Sequence, residues 1–250
     1  MDKNKIIELR NVSAGYNGEV IIEDVNLEIF GNDFIGVIGP NGAGKTTLIK
    51  TILRLITPFK GEISYHFEAN KSEAPIGYLP QVNTIDSRFP ISVRDVVLSG
   101  LLNRKKLIKR FTSKEKQKAD KLIRQMNIEK IASKPIGELS GGQMQRVFLC
   151  RAIISDPELL ILDEPNTYVD NKFESELYEI LKNLNQRMAI IVVSHDIGTI
   201  STYVKTIACV NRKVHYHKSN IISQEQLDSY NCPIQLITHG HIPHTVLESH

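Results

Sequence analysis

The nine residues Gly39-Pro-Asn-Gly-Ala-Gly-Lys45-Thr46-Thr47 constrain this chain more than any other stretch, because they match the phosphate-binding pattern G-x-x-x-x-G-K-[ST]. They follow an apolar run, Phe34 to Ile38, that reads as a buried strand. They precede Leu48, Ile49, Ile52, Leu53 and Leu55, which recur at helical spacing until Pro58. A strand, a glycine-rich loop and a helix N-terminus in that order form an anion site. Gly39, Gly42 and Gly44 let backbone N–H groups converge on an oxyanion, and the helix terminus adds a partial positive charge. Lys45 is placed to reach the outer phosphates and Thr46 to offer its hydroxyl to Mg²⁺. The stretch implies that a nucleoside triphosphate binds here.

Around the loop the pattern is that of an α/β chain. Ile6 to Arg10 and Val20 to Ile29 alternate apolar and polar residues about the turn residues Ala14 to Gly18, which predicts an antiparallel hairpin. Gly61 to Phe67 and Ile76 to Gln81 read as two further strands. Ser92 to Leu102 and Lys114 to Met126 carry helical spacing, the second opened by the capping-box sequence Thr112-Ser-Lys-Glu115. Leu139-Ser-Gly-Gly-Gln143 puts a glycine pair before a helical run, Met144 to Ile154, and so offers a second anion site. Four apolar residues then end in Asp163 and Glu164, as in a buried parallel strand whose carboxyl end faces a ligand. Asp163 suits Mg²⁺ coordination and Glu164 suits a general base or water-positioning group. A last strand, Ala189 to Val193, runs into Ser194-His195-Asp196, where His195 can donate to a phosphate.

Other features admit a bland and a sharp reading. Leu101 to Lys130 holds eleven Lys or Arg against three acids, which makes either a solvated helix face or a surface for anionic lipid or an acidic partner. Cys150, Cys209 and Cys232 are widely spaced, fit no zinc or redox pattern and are expected to be reduced thiols. Six of the eight histidines fall at His215, His217, His239, His241, His244 and His250, a polar tail or a metal site; His215 and His217 flank Tyr216 in an expected strand and share one face, while His239, His241 and His244 cluster in a loop-like setting. No apolar run approaches bilayer length and no signal-peptide core follows the N-terminus, so the protein is expected in the cytoplasm.

Over roughly residues 5 to 215 these pieces resemble the ATP-binding subunit of an ABC transporter. Leu139-Ser-Gly-Gly-Gln143 upstream of a strand ending Asp163-Glu164 carries that resemblance, together with the phosphate loop. It implies a P-loop NTPase core, mostly parallel sheet with flanking helices, an N-terminal antiparallel β subdomain and an inserted helical subdomain. The whole of 1–250 is then a single ATP-binding domain, with the insertion at 82–150 and a histidine-containing extension at 216–250. The cofactors implied are ATP and Mg²⁺. Tyr16 resembles the aromatic that stacks on adenine, and Gly39, Asn41, Gly42, Ala43, Gly44, Lys45, Thr46 and Thr47 the loop that holds the phosphates. Thr46, Gln81 and Asp163 correspond to the Mg²⁺-contacting set. Glu164 resembles the catalytic glutamate and His195 the switch histidine, acting with Lys45 and Gln81. Ser140, Gly141 and Gly142 match the signature that reaches the γ-phosphate held by the opposing copy, which implies a homodimer. Asn166-Thr-Tyr-Val-Asp170 departs from the family's usual Thr-x-Gly/Ala-Leu-Asp.

The resemblance further implies a separate membrane-spanning permease, an extracytoplasmic metal-binding protein acting through it, no nucleic-acid partner, and a peripheral position on the cytoplasmic face of the cell membrane. Phe89-Pro-Ile-Ser-Val-Arg-Asp-Val-Val-Leu is similar to the manganese, zinc and iron importer group. An ABC ATPase for another cargo, or a soluble non-transport ABC ATPase, are the alternatives. Ribosome-acting members carry two nucleotide domains and DNA-acting members long coiled coils, neither of which is present in this sequence. A binding module without turnover would lack Glu164 or His195, and both are present.

Overall fold

The computed structural model describes residues 4–68, 75–81, 90–102, 110–165, 171–195 and 197–221, and beyond them 223, 225, 228, 234–238 and 243–247. They fall into two units, Met1–Phe67 with Ile180–His250, and Glu68–Glu179. The fold is α/β with an N-terminal antiparallel sheet.

In the first unit, β1 (Lys5–Tyr16) and β2 (Glu19–Phe30) form the expected antiparallel hairpin, and β4 (Lys60–Tyr65) pairs with the other edge of β1. Ile7, Leu9, Val25, Leu27 and Ile29 are buried while Arg10, Asn26 and Glu28 are exposed, which is the alternation of a sheet covered on one side. The turn is shorter than the sequence pattern predicts. Ala14 and Gly15 stay in β1, paired with Ile22 and Val20, because register shifts after Val12 and Ala14 bend the strand without ending it. Asn17 and Gly18, both at positive φ, make the reversal.

The same unit holds β3 (Phe34–Ile38) between two parallel neighbours, β7 (Ala189–Val193) and β8 (Thr206–Asn211), with β9 (Lys213–His217) antiparallel on β8. β3 and β7 are buried at every residue, as strands covered on both faces must be, and their apolar runs reflect that. Helix α1 (Lys45–Ile52) packs Leu48, Ile49 and Ile52 inward and stops earlier than its periodicity predicts. Arg54 takes a left-handed φ of 60°, and Leu55 N–H and Arg54 N–H close onto Lys50 O and Thr51 O at 2.8 and 3.1 Å, a Schellman-type ending. Leu55 is therefore 67 % exposed rather than part of the helix. The Arg54 guanidinium lies 3.7 Å from the Tyr65 ring centroid, a cation–π contact that helps hold this ending. Helix α6 (Ile197–Tyr203) follows β7. In the tail β10 (Ile234–Thr238) and β11 (Pro243–Leu247), which carries His244, pair antiparallel, with β11 against α6.

In the second unit β5 (Ile76–Leu79) runs parallel to β6 (Leu159–Asp163), which is wholly buried. Helices α2 (Val93–Ser99), α3 (Ser113–Gln125) and α4 (Gly141–Ile153) pack on one another, and α4 also packs on β5. α2 ends at Ser99, short of the expected Leu102, because the N–H groups of Gly100, Leu101 and Leu102 bond three residues back and tighten the chain. The capping box at Thr112 and Glu115 forms as its sequence predicts. Of the basic stretch, residues 103–109 lie outside the described residues, Lys118 pairs with Asp156 at 2.5 Å, and Lys114, Lys121 and Arg124 are exposed. Helix α5 (Asn171–Leu184) begins in this unit and ends in the first, the division falling between Glu179 and Ile180. Cys150 on α4 is a free, buried thiol whose pKa burial pushes up to about 12. Cys209 on β8 is disulfide-bonded, contrary to the expectation of a reduced thiol.

Candidate nucleotide site

The phosphate loop begins where β3 ends, and its first glycine is dictated by packing. A Cβ at Gly39, whose φ is 151°, would meet Val210 O of β8 at 2.1 Å, so only glycine lets the loop pass that strand. The last glycine, Gly44, caps α1 at φ 102°, where a Cβ would meet Ile22 Cγ2 at 2.5 Å. Between them Ala43 N–H closes onto Pro40 O at 3.3 Å, and Ala43 O accepts from Arg212 N–H at 3.1 Å, tying the loop to the β8–β9 turn. No side chain caps α1 and its first turn holds no acid, so the terminus keeps its positive end for an anion. Lys45 is 6 % exposed and its Nζ donates to Gly39 O and Pro40 O at 2.7 and 2.9 Å, which centres the ammonium on the loop. Asn41, Gly42 and Thr46 are exposed on the rim, while Ala43 and Thr47 are buried beneath it.

β7 lies directly beside β3, with Val193 opposite Val37, and Ser194 N–H donates to Val37 O at 3.0 Å. The exposed His195 therefore leaves the sheet at the same edge as the loop. Tyr16 ends β1 with 42 % of its surface exposed, and Lys50 Nζ lies 5.7 Å from its ring centroid. The support from the Arg212 main chain carries no sequence signal beyond an ordinary turn.

In the second unit β5 and β6 bring Gln81, Asp163 and Glu164 to one sheet end. Gln81 Nε2 donates to Glu164 Oε2 at 2.5 Å, a charge-assisted bond that turns the carboxylate toward β5. Glu164 has φ 49°, a left-handed conformation uncommon for a non-glycine residue and a mark of functional turns. Asp163 is 7 % exposed and accepts from the Tyr78 hydroxyl at 3.3 Å. Burial first, then the Asp163 charge, raises the Tyr78 pKa, so its phenol stays a donor. Within this unit the Asp163 carboxylate and the Gln81 amide supply oxygen donors of the kind that suits Mg²⁺.

Ser140 is the N-cap of α4. Its Oγ accepts from Gln143 N–H at 3.4 Å and Gln143 Oε1 accepts from Ser140 N–H at 3.1 Å, a complete capping box. The S-x-x-Q spacing was its sequence signal. The N–H groups of Gly141 and Gly142 occupy first-turn positions without intrahelical acceptors. One buried residue escaped the sequence reading altogether: Gln145, whose amide donates to Pro165 O.

A family model described as ABC transporter matches residues 22–167 of this chain. The chain belongs to that family. As an ABC ATPase it binds and hydrolyses ATP. It is 39 % identical over 221 residues to the zinc uptake system ATP-binding protein ZurA of Listeria monocytogenes, covering 86 % of each chain. It is 35 % identical to the zinc import ATP-binding protein ZnuC of Haemophilus influenzae, over 85 % of this chain and 74 % of that one. A solved transporter described as of the metal-chelate ABC type, in an inward-facing conformation, superposes with a TM-score of 0.80 at 25 % identity, over 97 % of this chain and 96 % of that one.

Several expected positions fall elsewhere. Asn166 to Asp170, Asp196, His239, His241 and His250 lie outside the described residues. His215 and His217 alternate on β9, and His217 Nε2 is 2.9 Å from Ile221 O. Burial, and then the Lys213 charge, lowers the His215 pKa. Among the described residues no helix is long and apolar enough to cross a membrane.

Proposed function

We propose that this ABC ATPase is the energising subunit of a divalent-metal importer, with zinc as the leading cargo among manganese, zinc and iron. The observation that carries the reading is the identity of 39 % and 35 %, over most of the chain, to proteins named for zinc uptake and zinc import. The working form is a homodimer, held peripherally on the cytoplasmic face of the cell membrane by a membrane-spanning permease. An extracytoplasmic metal-binding protein delivers cargo to that permease, and no nucleic acid is involved. Segment 82–150 is the helical insertion that meets the permease, and 216–250 is an extension of the ATPase domain.

A triphosphate must have its charge neutralised from several sides before its terminal bond is cleaved. Lys45 and the loop N–H groups take the phosphates, and Tyr16 offers its ring to adenine. Thr46, Gln81 and Asp163 would hold Mg²⁺, which would supply neutralisation of the charge developing on the phosphate oxygens. Glu164 orients the attacking water and His195 donates to the γ-phosphate. Ser140, Gly141 and Gly142 serve the nucleotide held by the second copy, so that ATP holds the two together and loss of the γ-phosphate lets them part.

Deleting the gene and measuring radiolabelled zinc uptake tests the reading. Uptake should fall and be restored by the wild-type gene but not by Glu164→Gln; unchanged zinc uptake with a loss for some other cargo would overturn it.

A further inference from the structure

Helix α4 buries Met144, Val147, Phe148, Leu149 and Cys150, and among these apolar residues it also buries Gln145 at 2 % exposure. A buried amide is costly unless both its ends are bonded. Here Nε2 donates to the Pro165 carbonyl, while Oε1 has no partner among the described residues. A methionine of similar volume would fill the space without that penalty, so packing alone does not account for the glutamine.

What the amide holds is the turn that carries Glu164. Among the described residues Tyr78 donates to the Asp163 side chain, Gln81 donates to the Glu164 side chain, and Gln145 donates to the main chain at Pro165, the residue after Glu164. The grip matters because Glu164 sits at φ 49°, a conformation its surroundings must impose. It also comes from the helix whose N-cap is Ser140, one and a half turns before Gln145.

We propose that Gln145 is a positioning residue for hydrolysis: through the Pro165 carbonyl it fixes the orientation of Glu164, and it makes that orientation answer to the placement of the signature helix. The proposal rests on Glu164 acting on the attacking water, as argued above.

The test uses the full chain with Mg-ATP and three variants. Gln145→Met removes the donor at nearly constant volume; kcat should fall about tenfold to a hundredfold while KM for ATP changes less than about twofold, the pattern of an interaction made in the transition state. Its Tm should not fall, since the replaced amide is only half bonded. Gln145→Glu supplies the donor only when protonated, so its rate relative to wild type should rise as pH is lowered, a profile that a packing role would not produce. Glu164→Gln is the control. If it has lost turnover while Gln145→Met keeps a wild-type kcat, or loses kcat only together with Tm, and Gln145→Glu shows no recovery at low pH, the positioning role is overturned. If Glu164→Gln itself turns over at the wild-type rate, the reading of Glu164 fails first, and this proposal with it.

Discussion

Replacing Gly39 with alanine should damage the fold of the loop before any nucleotide is present. The new Cβ would lie 2.1 Å from Val210 O, where real contacts essentially never fall under 3.0 Å, and the atom it meets is main chain and cannot rotate away. Holding alanine at a positive φ costs about 1–2 kcal/mol, and forcing β3 and β8 apart adds about 1–3 kcal/mol. The sum, about 2–5 kcal/mol, is a large share of the roughly 5–15 kcal/mol that stabilises a domain. Gly44→Ala supplies the comparison, because it shares the positive φ, at 102°, while the one atom its Cβ would meet closer than 3.4 Å is the side-chain methyl Ile22 Cγ2 at 2.5 Å. That side chain can change rotamer for about 0.5–1.5 kcal/mol, so Gly44→Ala should be the milder by about 1 kcal/mol or more. Scanning calorimetry without nucleotide decides between them. At about 2–4 °C per kcal/mol for a chain of this length, Gly39→Ala should melt about 4–20 °C below wild type. A Gly39→Ala protein as stable as wild type, or a Gly44→Ala protein less stable than it, would refute the packing argument.

Three further outcomes are expected. Tyr78→Phe removes the hydroxyl from Asp163, and the loss of about 1 kcal/mol should raise the Mg²⁺ needed for half-maximal ATPase rate about fivefold; an unchanged Mg²⁺ titration would show that the phenol does not orient Asp163. Lys45→Ala removes the ammonium that the loop carbonyls centre, and fluorescent-nucleotide titration should find ATP affinity lower by about a hundredfold or more; affinity within a few-fold of wild type would count against Lys45. Cys150, buried and with its pKa near 12, should resist iodoacetamide at pH 8 in the native protein and react once urea unfolds it, as read by peptide mass. Rapid native labelling would contradict that burial.

Much of this was legible in the sequence because the signals were local. The run Phe34–Ile38, the glycines after it and the apolar spacing of Leu48, Ile49 and Ile52 placed strand, loop and helix without any tertiary knowledge. Leu139 to Gln143 likewise announced a helix start. The misses have physical causes. Leu55 continued the helical period, but Arg54 left the helix through a left-handed residue that periodicity does not register. Ala14 and Gly15 looked like turn residues, whereas long-range pairing kept them in β1. The pairing of β4 with β1 depends on a register that composition does not encode. Gln145 was overlooked for a different reason: a single polar residue in an apolar stripe is visible, but its meaning depends on a carbonyl twenty residues away in the chain.

The proposed function requires two copies of this chain to close on nucleotide and to part on hydrolysis at Glu164. The mass of Glu164→Gln in Mg-ATP, measured by light scattering on a size-exclusion column, tests it most directly. The expected species is a stable dimer at twice the 28.2 kDa chain mass, reverting to monomer when Mg²⁺ is chelated. A variant that stays at the monomer mass in Mg-ATP while releasing phosphate at the wild-type rate would contradict it.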